Sequence, residues 1–351
     1  LVKQSTFSRR TFLKAIAGGA TVLGWGFRVG GQDTAPLRLS IPPLQDSVPI
    51  GFADTEGIFE EAGLAVELVG ISSNRERSSA LLSNNLDGVL SDISTFLFGR
   101  VNAEADIVIA STCFEVVDGS RQNALMASGF FNVEDFEGLL QRINGQPVNS
   151  ITVSRRTDFE LITDELLESK GVAVDPDIFY ADTDDLVSAA TFLIGGSVLS
   201  AVLPEPLAIL SERNELIDEA FLSKSLSAFD NIVMPPSVMV FRRDVIEQRE
   251  ADVTLFYEAY VEALNQINSA AGDVVRESAI TNSIQLFLPG LARTELPPDF
   301  AKDYNIPTFP QPRQLLADEM LRVADWAKSK DYLFADVDFD TAVDFRFVTT
   351  S

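Results

Sequence analysis

The sequence predicts an α/β fold in two lobes, followed by a helical tail. Three observations carry that expectation. Short apolar runs of strand character alternate with helical segments from residue 37 onward, the pattern of parallel βα units. The alternation restarts near residue 124, and after residue 230 helices dominate. The 351 residues are also too many for a single hydrophobic core.

The elements follow in order. Residues 37–41 alternate and stop at Pro42-Pro43, so they read as the first strand. Residues 49–62 carry Phe52, Ala53, Ile58 and Phe59, with Gly63 as a stop, and read as a helix. Residues 65–70 form the next strand, and Ser72-Ser73-Asn74 offers caps to a helix running through residue 82. A short strand at 87–90 precedes a helix at 93–101, and 107–111 is apolar throughout, as buried strands are. In the second half, strands are expected at 124–127, 150–153 and 199–203. The helices between them fall at 133–142, 158–169, 185–193 and 204–211, the last with a proline near its first turn. A final strand at 238–241 leads to helices at 245–271, 273–287 and 312–328, around a proline-rich loop at 296–312. A chain that leaves one lobe, builds a second and returns places lobe one at 36–118 plus 232–351, and lobe two at 119–231. The expected ligand site is a cleft between the lobes, at the carboxyl ends of the strands.

Composition narrows the chemistry. The chain contains no histidine. That removes Ser-His-Asp and Cys-His catalysis, histidine-based zinc sites and the commonest acid-base group. A single cysteine, Cys113, excludes an intramolecular disulfide and reads as a small buried hydrophobe at a strand end. The net charge of −25 argues against a nucleic-acid partner. There is no Gly-rich nucleotide loop, cysteine cluster or haem motif, so neither a cofactor nor a metal is expected.

Ser8-Arg9-Arg10-Thr11-Phe12-Leu13-Lys14 precedes an apolar run ending at Phe27. This basic-then-apolar order reads as an export address and resembles the twin-arginine signal of prokaryotes. Residues 1–31 are expected to be that signal. Gly30-Gly31 offers a cut, and a retained anchor is the alternative. Beyond it no apolar stretch approaches the length of a membrane span.

Further motifs carry a second resemblance. Pro49-Ile50-Gly51-Phe52-Ala53 is followed by Gly57-Ile58-Phe59 and Gly63-Leu64-Ala65-Val66-Glu67. Asn85-Leu86-Asp87-Gly88-Val89 precedes Ser91-Asp92, and Val202-Leu203-Pro204-Glu205-Pro206 stands downstream. In this order they resemble bacterial solute-binding proteins of the SsuA/THI5-like (NMT1) group, over roughly residues 37–270. Asn84-Asn85 stands where the group commonly has Gly. The resemblance implies a two-lobed, hinged periplasmic-binding-protein type II fold with C-terminal helices. The related fungal enzymes of thiamine-pyrimidine synthesis use histidine and a cysteine-rich motif, and neither occurs here.

Candidate solute contacts follow from position in the βα units. Asp46 and Ser47 lie in the first βα loop, where Asp46 either meets solute or caps a helix. Ser72, Ser73 and Asn74 sit at a helix start, where hydroxyls and free N–H groups bind anions or simply cap. Asp92 and Ser94 begin the third helix, and Asp92 there would repel an anion and favour a donor group. Ser154, Arg155, Arg156 and Thr157 form the equivalent loop of lobe two. Its two arginines either clamp a carboxylate, sulfonate or phosphonate, or stand solvated. Glu205, held between prolines, either meets an N–H donor or packs a turn. Phe114, at the interlobe crossing, either stacks on solute or packs in the core.

The implied function is capture of a small polar organic solute, without chemical conversion, by a monomeric extracytoplasmic protein of an ABC importer. The solute would be sulfonate-, taurine- or nitrate-like, or thiamine-pyrimidine-like, and would pass to the permease and ATPase subunits. A zwitterion would satisfy both the arginines and the acids. The protein would work in the periplasm or at the outer face of the cell membrane, touching the membrane only through the importer or a retained leader. The alternatives on the same scaffold are an exported enzyme using Asp46, Asp92 or Glu205, and a ligand-sensing module.

Overall fold

A computed structural model describes residues 35–348, except 118, 146–149, 174, 176–178, 214–218, 227–228, 230–231 and 270–306. The signal-like segment and the helix expected at 273–287 lie outside the described residues. The described residues form ten strands: β1 (Leu37–Ile41), β2 (Val66–Gly70), β3 (Gly88–Ser91), β4 (Ile107–Phe114), β5 (Asn123–Ala127), β6 (Ile151–Val153), β7 (Tyr180–Asp182), β8 (Ser200–Pro204), β9 (Lys224–Ser225) and β10 (Ser237–Arg242). They form two five-stranded sheets, ordered β2-β1-β3-β10-β4 and β7-β6-β8-β5-β9.

The helices between them are α1 (Val48–Thr55), α2 (Ile58–Glu61), α3 (Asn74–Leu82), α4 (Ile93–Leu97), α5 (Phe136–Gly145), α6 (Asp158–Ser169), α7 (Leu186–Ile194) and α8 (Leu207–Glu212). After β10 come α9 (Arg243–Gln248), α10 (Glu250–Ser269), α11 (Ala317–Ser329) and α12 (Phe339–Ala342). Among the described residues no helix is long and apolar enough to cross a membrane.

The departures from expectation have local causes. The helix expected at 49–62 breaks at Gly57, which takes a left-handed φ of 75°. The helix expected at 245–271 breaks at Arg249, whose backbone leaves the helical region while its guanidinium reaches Asp87 at 3.2 Å and Asp252 at 2.8 Å. The tail helix starts only at Ala317; the residues before it run extended beside β4, where Thr112 N donates to Arg313 O at 2.8 Å. The strands are not all parallel. β10 runs antiparallel between β3 and β4, and β5 runs antiparallel to β8 and β9, because the chain enters those positions from the other lobe.

Each sheet is buried by helices. On one face of the first sheet Phe256 of α10 is an aromatic hub, 5.8 Å from Phe59 and 5.9 Å from Phe241 between ring centres. Gly88 is needed beneath Phe241, since a Cβ there would lie 2.6 Å from that ring. On the other face Ile93, Phe96 and Leu97 of α4 pack with Met320, Val323, Ala324 and Ala327 of α11. Leu161, from α6 of lobe two, joins this cluster, so the lobes share apolar packing. Cys113 is buried next to the end of β4, and burial pushes its thiol up to about 12.

Candidate functional site

A cavity of about 630 Å³, part of it open to solvent, lies between the two sheets. From lobe one it is lined by Pro42, Leu44 and Asp46 after β1, by Ser72, Asn74 and Arg77 around the start of α3, and by Leu90, Ser91 and Asp92 at the end of β3. From lobe two come Ser154, Asp158 and Phe159 after β6, Asp184 and Leu186 after β7, and Pro204 at the end of β8. Gln122, Asn123, Met234, Pro235 and Ser237 line it from the two crossings. Strand carboxyl ends and helix starts thus converge on one space, where α/β folds place their ligands.

Five of the residues expected from sequence line the cavity: Asp46, Ser72, Asn74, Asp92 and Ser154. Asp46 is buried, and loss of water pushes its carboxyl up to about 6 despite the nearby Ser237 hydroxyl. Asp92 caps α4, accepting from Thr95 N at 2.7 Å and Thr95 Oγ1 at 2.8 Å, and it also accepts from Asn74 Nδ2 at 2.9 Å.

The other expected contacts are engaged elsewhere. Ser47 is buried and donates to Pro42 O at 2.6 Å, closing its own loop. Ser73 caps α3, accepting from Glu76 N at 3.0 Å, and donates to Asp184. Ser94 donates to Asp158. Thr157 caps α6, accepting from Phe159 N at 3.2 Å. Phe114 is fully buried, its ring centre 5.6 Å from that of Phe309, so it packs in the core.

Glu205 is a buried turn residue. Its carboxylate pairs with Arg121 and accepts from Ile209 N at 3.2 Å, holding the start of α8. Burial pushes its carboxyl up, and Arg121 works against that.

The arginine pair does not line the cavity. Arg155 Nη2 donates to Tyr332 Oη at 3.0 Å, and the Arg156 guanidinium stands 5.2 Å from the centre of the Tyr332 ring. Tyr332 Oη also donates to buried Glu160 at 3.0 Å. Beside it Trp326 Nε1 and Lys330 Nζ reach Asp164 at 2.8 and 2.7 Å, and Arg322 Nε reaches Glu165 at 3.0 Å. The tail that follows lobe one's core is therefore fastened along α6 of lobe two. Tyr332→Phe is expected to lower stability by about 1–2 kcal/mol, because Glu160 loses a donor while buried. A melting temperature equal to wild type would contradict that role.

Sequence reasoning missed three charged residues of the cavity wall. Arg77 lies in the first turn of α3. In the fold it is buried, donating to Ile71 O at 2.7 Å, to Ser72 O at 3.1 Å and to Asn74 Oδ1. Burial lowers its pKa to about 10, while Asp92 and Asp184 oppose the shift. Asp158 is fully buried and crosses between lobes, accepting from Ile93 N at 3.2 Å, from Ser94 N at 3.1 Å and from the Ser94 hydroxyl. Burial, and after it the charge of Asp92, push its carboxyl up to about 7. Asp184 crosses likewise, accepting from Ser73 Oγ and from Arg75 N at 3.3 Å. The start of α3, which the sequence offers to an anion, and the start of α4 thus each hold a carboxylate of the protein itself.

No family model matches the chain, and no curated protein matches it by sequence. Solved structures match it by shape. The ligand-binding component of an ABC-type import system from Staphylococcus aureus, solved with zinc bound, has a TM-score of 0.70 at 13% identity, over 90% of this chain and 98% of its own. The fold is that of periplasmic binding proteins. The alkanesulfonate-binding protein SsuA from Xanthomonas axonopodis pv. citri, bound to MOPS, has a TM-score of 0.68 at 14% identity, over 89% of this chain and 99% of its own. The periplasmic nitrate-binding protein NrtA from Synechocystis PCC 6803 has a TM-score of 0.62 at 13% identity, over 88% and 84%. The chain has no histidine, and among the described residues no group of three His, Cys, Asp or Glu could hold a metal.

Proposed function

We propose that the chain is an extracytoplasmic solute-binding protein of an ABC importer, which captures a small polar organic solute without converting it. The observation that carries this is the cleft between the sheets, bridged by Asp158 and Asp184 of lobe two on the helix starts of lobe one. Two lobes linked across a partly open cleft by breakable polar contacts suit closure on a ligand. The lobes are taken as 36–118 plus 232–351 and 119–231, in line with the strands of the two sheets. A ligand-binding component of an ABC-type import system, an alkanesulfonate-binding protein and a periplasmic nitrate-binding protein of the same fold support the reading. Export by the twin-arginine route, membership of the SsuA/THI5-like group, a monomeric state, and delivery to permease and ATPase subunits complete it.

A thermal-shift screen of the purified protein against a library of small polar solutes tests this. A solute at a hundred times its Kd is expected to stabilise the folded protein by about 2.7 kcal/mol. It should be recovered chemically unchanged. If every solute leaves the melting temperature in place, or if a binder is turned into product, the reading fails.

A further inference from the structure

We infer that the head group seated in this cavity is an organic cation with N–H donors, a protonated amine, amidine or guanidine, held by Asp46 and Asn123. The inference rests on the solute-binding reading and narrows it. Four carboxylates line the cavity, those of Asp46, Asp92, Asp158 and Asp184, against the single guanidinium of Arg77. Arg77 already serves three acceptors and lies under the influence of Asp92 and Asp184. It has little attraction left for an oxoanion. The helix starts that would cradle one are filled by Asp184 and Asp158.

Three of the four carboxylates are also accounted for by donors within the protein: Asp92 caps α4, and Asp158 and Asp184 bridge the lobes. Asp46 is different. It is buried, and among the described residues no arginine or lysine makes an ion pair with it; the Ser237 hydroxyl and its own backbone N–H are the groups that favour its charged form. Asn123 gives the second, independent sign. It is 9% exposed, it lines the cavity, and its Oδ1 is buried without a donor. A buried acceptor left open in a ligand cavity asks for a donor from the ligand. Their chain neighbours meet at one turn, where Gln45 N donates to Glu205 O and Glu205 N donates to Gln122 O, both at 2.9 Å, and both residues line the same cavity. A carboxylate and an amide oxygen facing one space match an N–H-bearing cation and repel a sulfonate or nitrate.

Calorimetric titration of the purified protein at pH 8 with matched probes decides this. The cationic set is ethylammonium, ethylguanidinium and acetamidinium; the anionic set is ethanesulfonate and nitrate; taurine carries both charges. At least one cationic probe should bind and neither anion should. Asp46→Asn and Asn123→Leu should each weaken the cation at least tenfold, and circular dichroism should show both variants folded. If ethanesulfonate or nitrate binds and no cationic probe does, the cationic head is wrong and the solute-binding reading stands. Cation binding unchanged in Asp46→Asn also overturns the assignment. If no probe of either charge binds, the cationic head group falls, and the library screen decides the solute-binding reading separately.

Discussion

Asp158→Ala is expected to weaken solute binding on the order of 100-fold while leaving both lobes folded. Asp158 carries three hydrogen bonds from lobe one to a lobe-two helix, two from backbone N–H groups and one from a hydroxyl. Bonds to a charged acceptor are each worth about 1.5–3 kcal/mol. Burial of the carboxylate and the nearby charge of Asp92 offset part of that, as the rise of its pKa to about 7 reflects. A net loss of about 3 kcal/mol from the joined arrangement remains, and the binding-competent population falls in proportion. The bonds run between lobes rather than within one, so the change falls on their association. Small-angle scattering should give a larger radius of gyration for the variant, and calorimetry a Kd higher by about two decades. An unchanged scattering profile with a Kd within twofold of wild type would remove Asp158 from this role.

The second large effect concerns pH. Asp46 titrates at about 6 in the folded protein against an ordinary 3.8. The cause is desolvation. Below pH 4 the group is protonated both folded and unfolded, so it contributes no pH dependence there. Between pH 4 and 6 the folded protein keeps a proton that the unfolded chain has released. Stability therefore falls as pH rises through that window and levels off above it. Two pH units correspond to about 3 kcal/mol, an order of magnitude for the slope assignable to this residue. Cys113 and Tyr260, the other titratable groups near Asp46, stay neutral throughout, because burial raises both. Asp158 acts in the same direction up to about pH 7, so the Asp46 share must be read by difference. Unfolding in urea at pH 4.5 and pH 7.5 should show wild type losing more stability than Asp46→Asn across that interval. Equal losses in the two proteins would refute the account.

Much of the architecture was legible because helices and strands of ordinary length advertise themselves. β1 falls at residues 37–41 as read, and Gly63 ends its helical segment as expected. What escaped was short or depended on the far chain. β9 is two residues long, too few for alternation to register, and β7, Tyr180-Ala181-Asp182, lacks the β-branched apolar ends that mark the equally short β6. The direction of β10 is set by where the chain re-enters the first lobe, and local pattern carries no trace of that. The cleft shows the same division. Asp46, Ser72, Asn74, Asp92 and Ser154 were readable from their places just after strands. For Arg155 and Arg156 the sequence offers a solute clamp or a solvated pair, and their actual partner, Tyr332, lies 177 residues from Arg155, beyond any local pattern. Asp184 was missed because the strand before it was missed.

The position of β10 also dictates an order of assembly. The first sheet needs a strand that emerges from the ribosome only after the whole second lobe has been made, more than a hundred residues after β3. Until then the facing edges of β3 and β4 have no partner, and bare edges invite pairing with other nascent molecules. The second lobe is continuous in sequence and can nucleate early, whereas the first waits for its missing middle. A chain cut short after residue 225 but before residue 237 has all the strands of one sheet and leaves the other open down its centre.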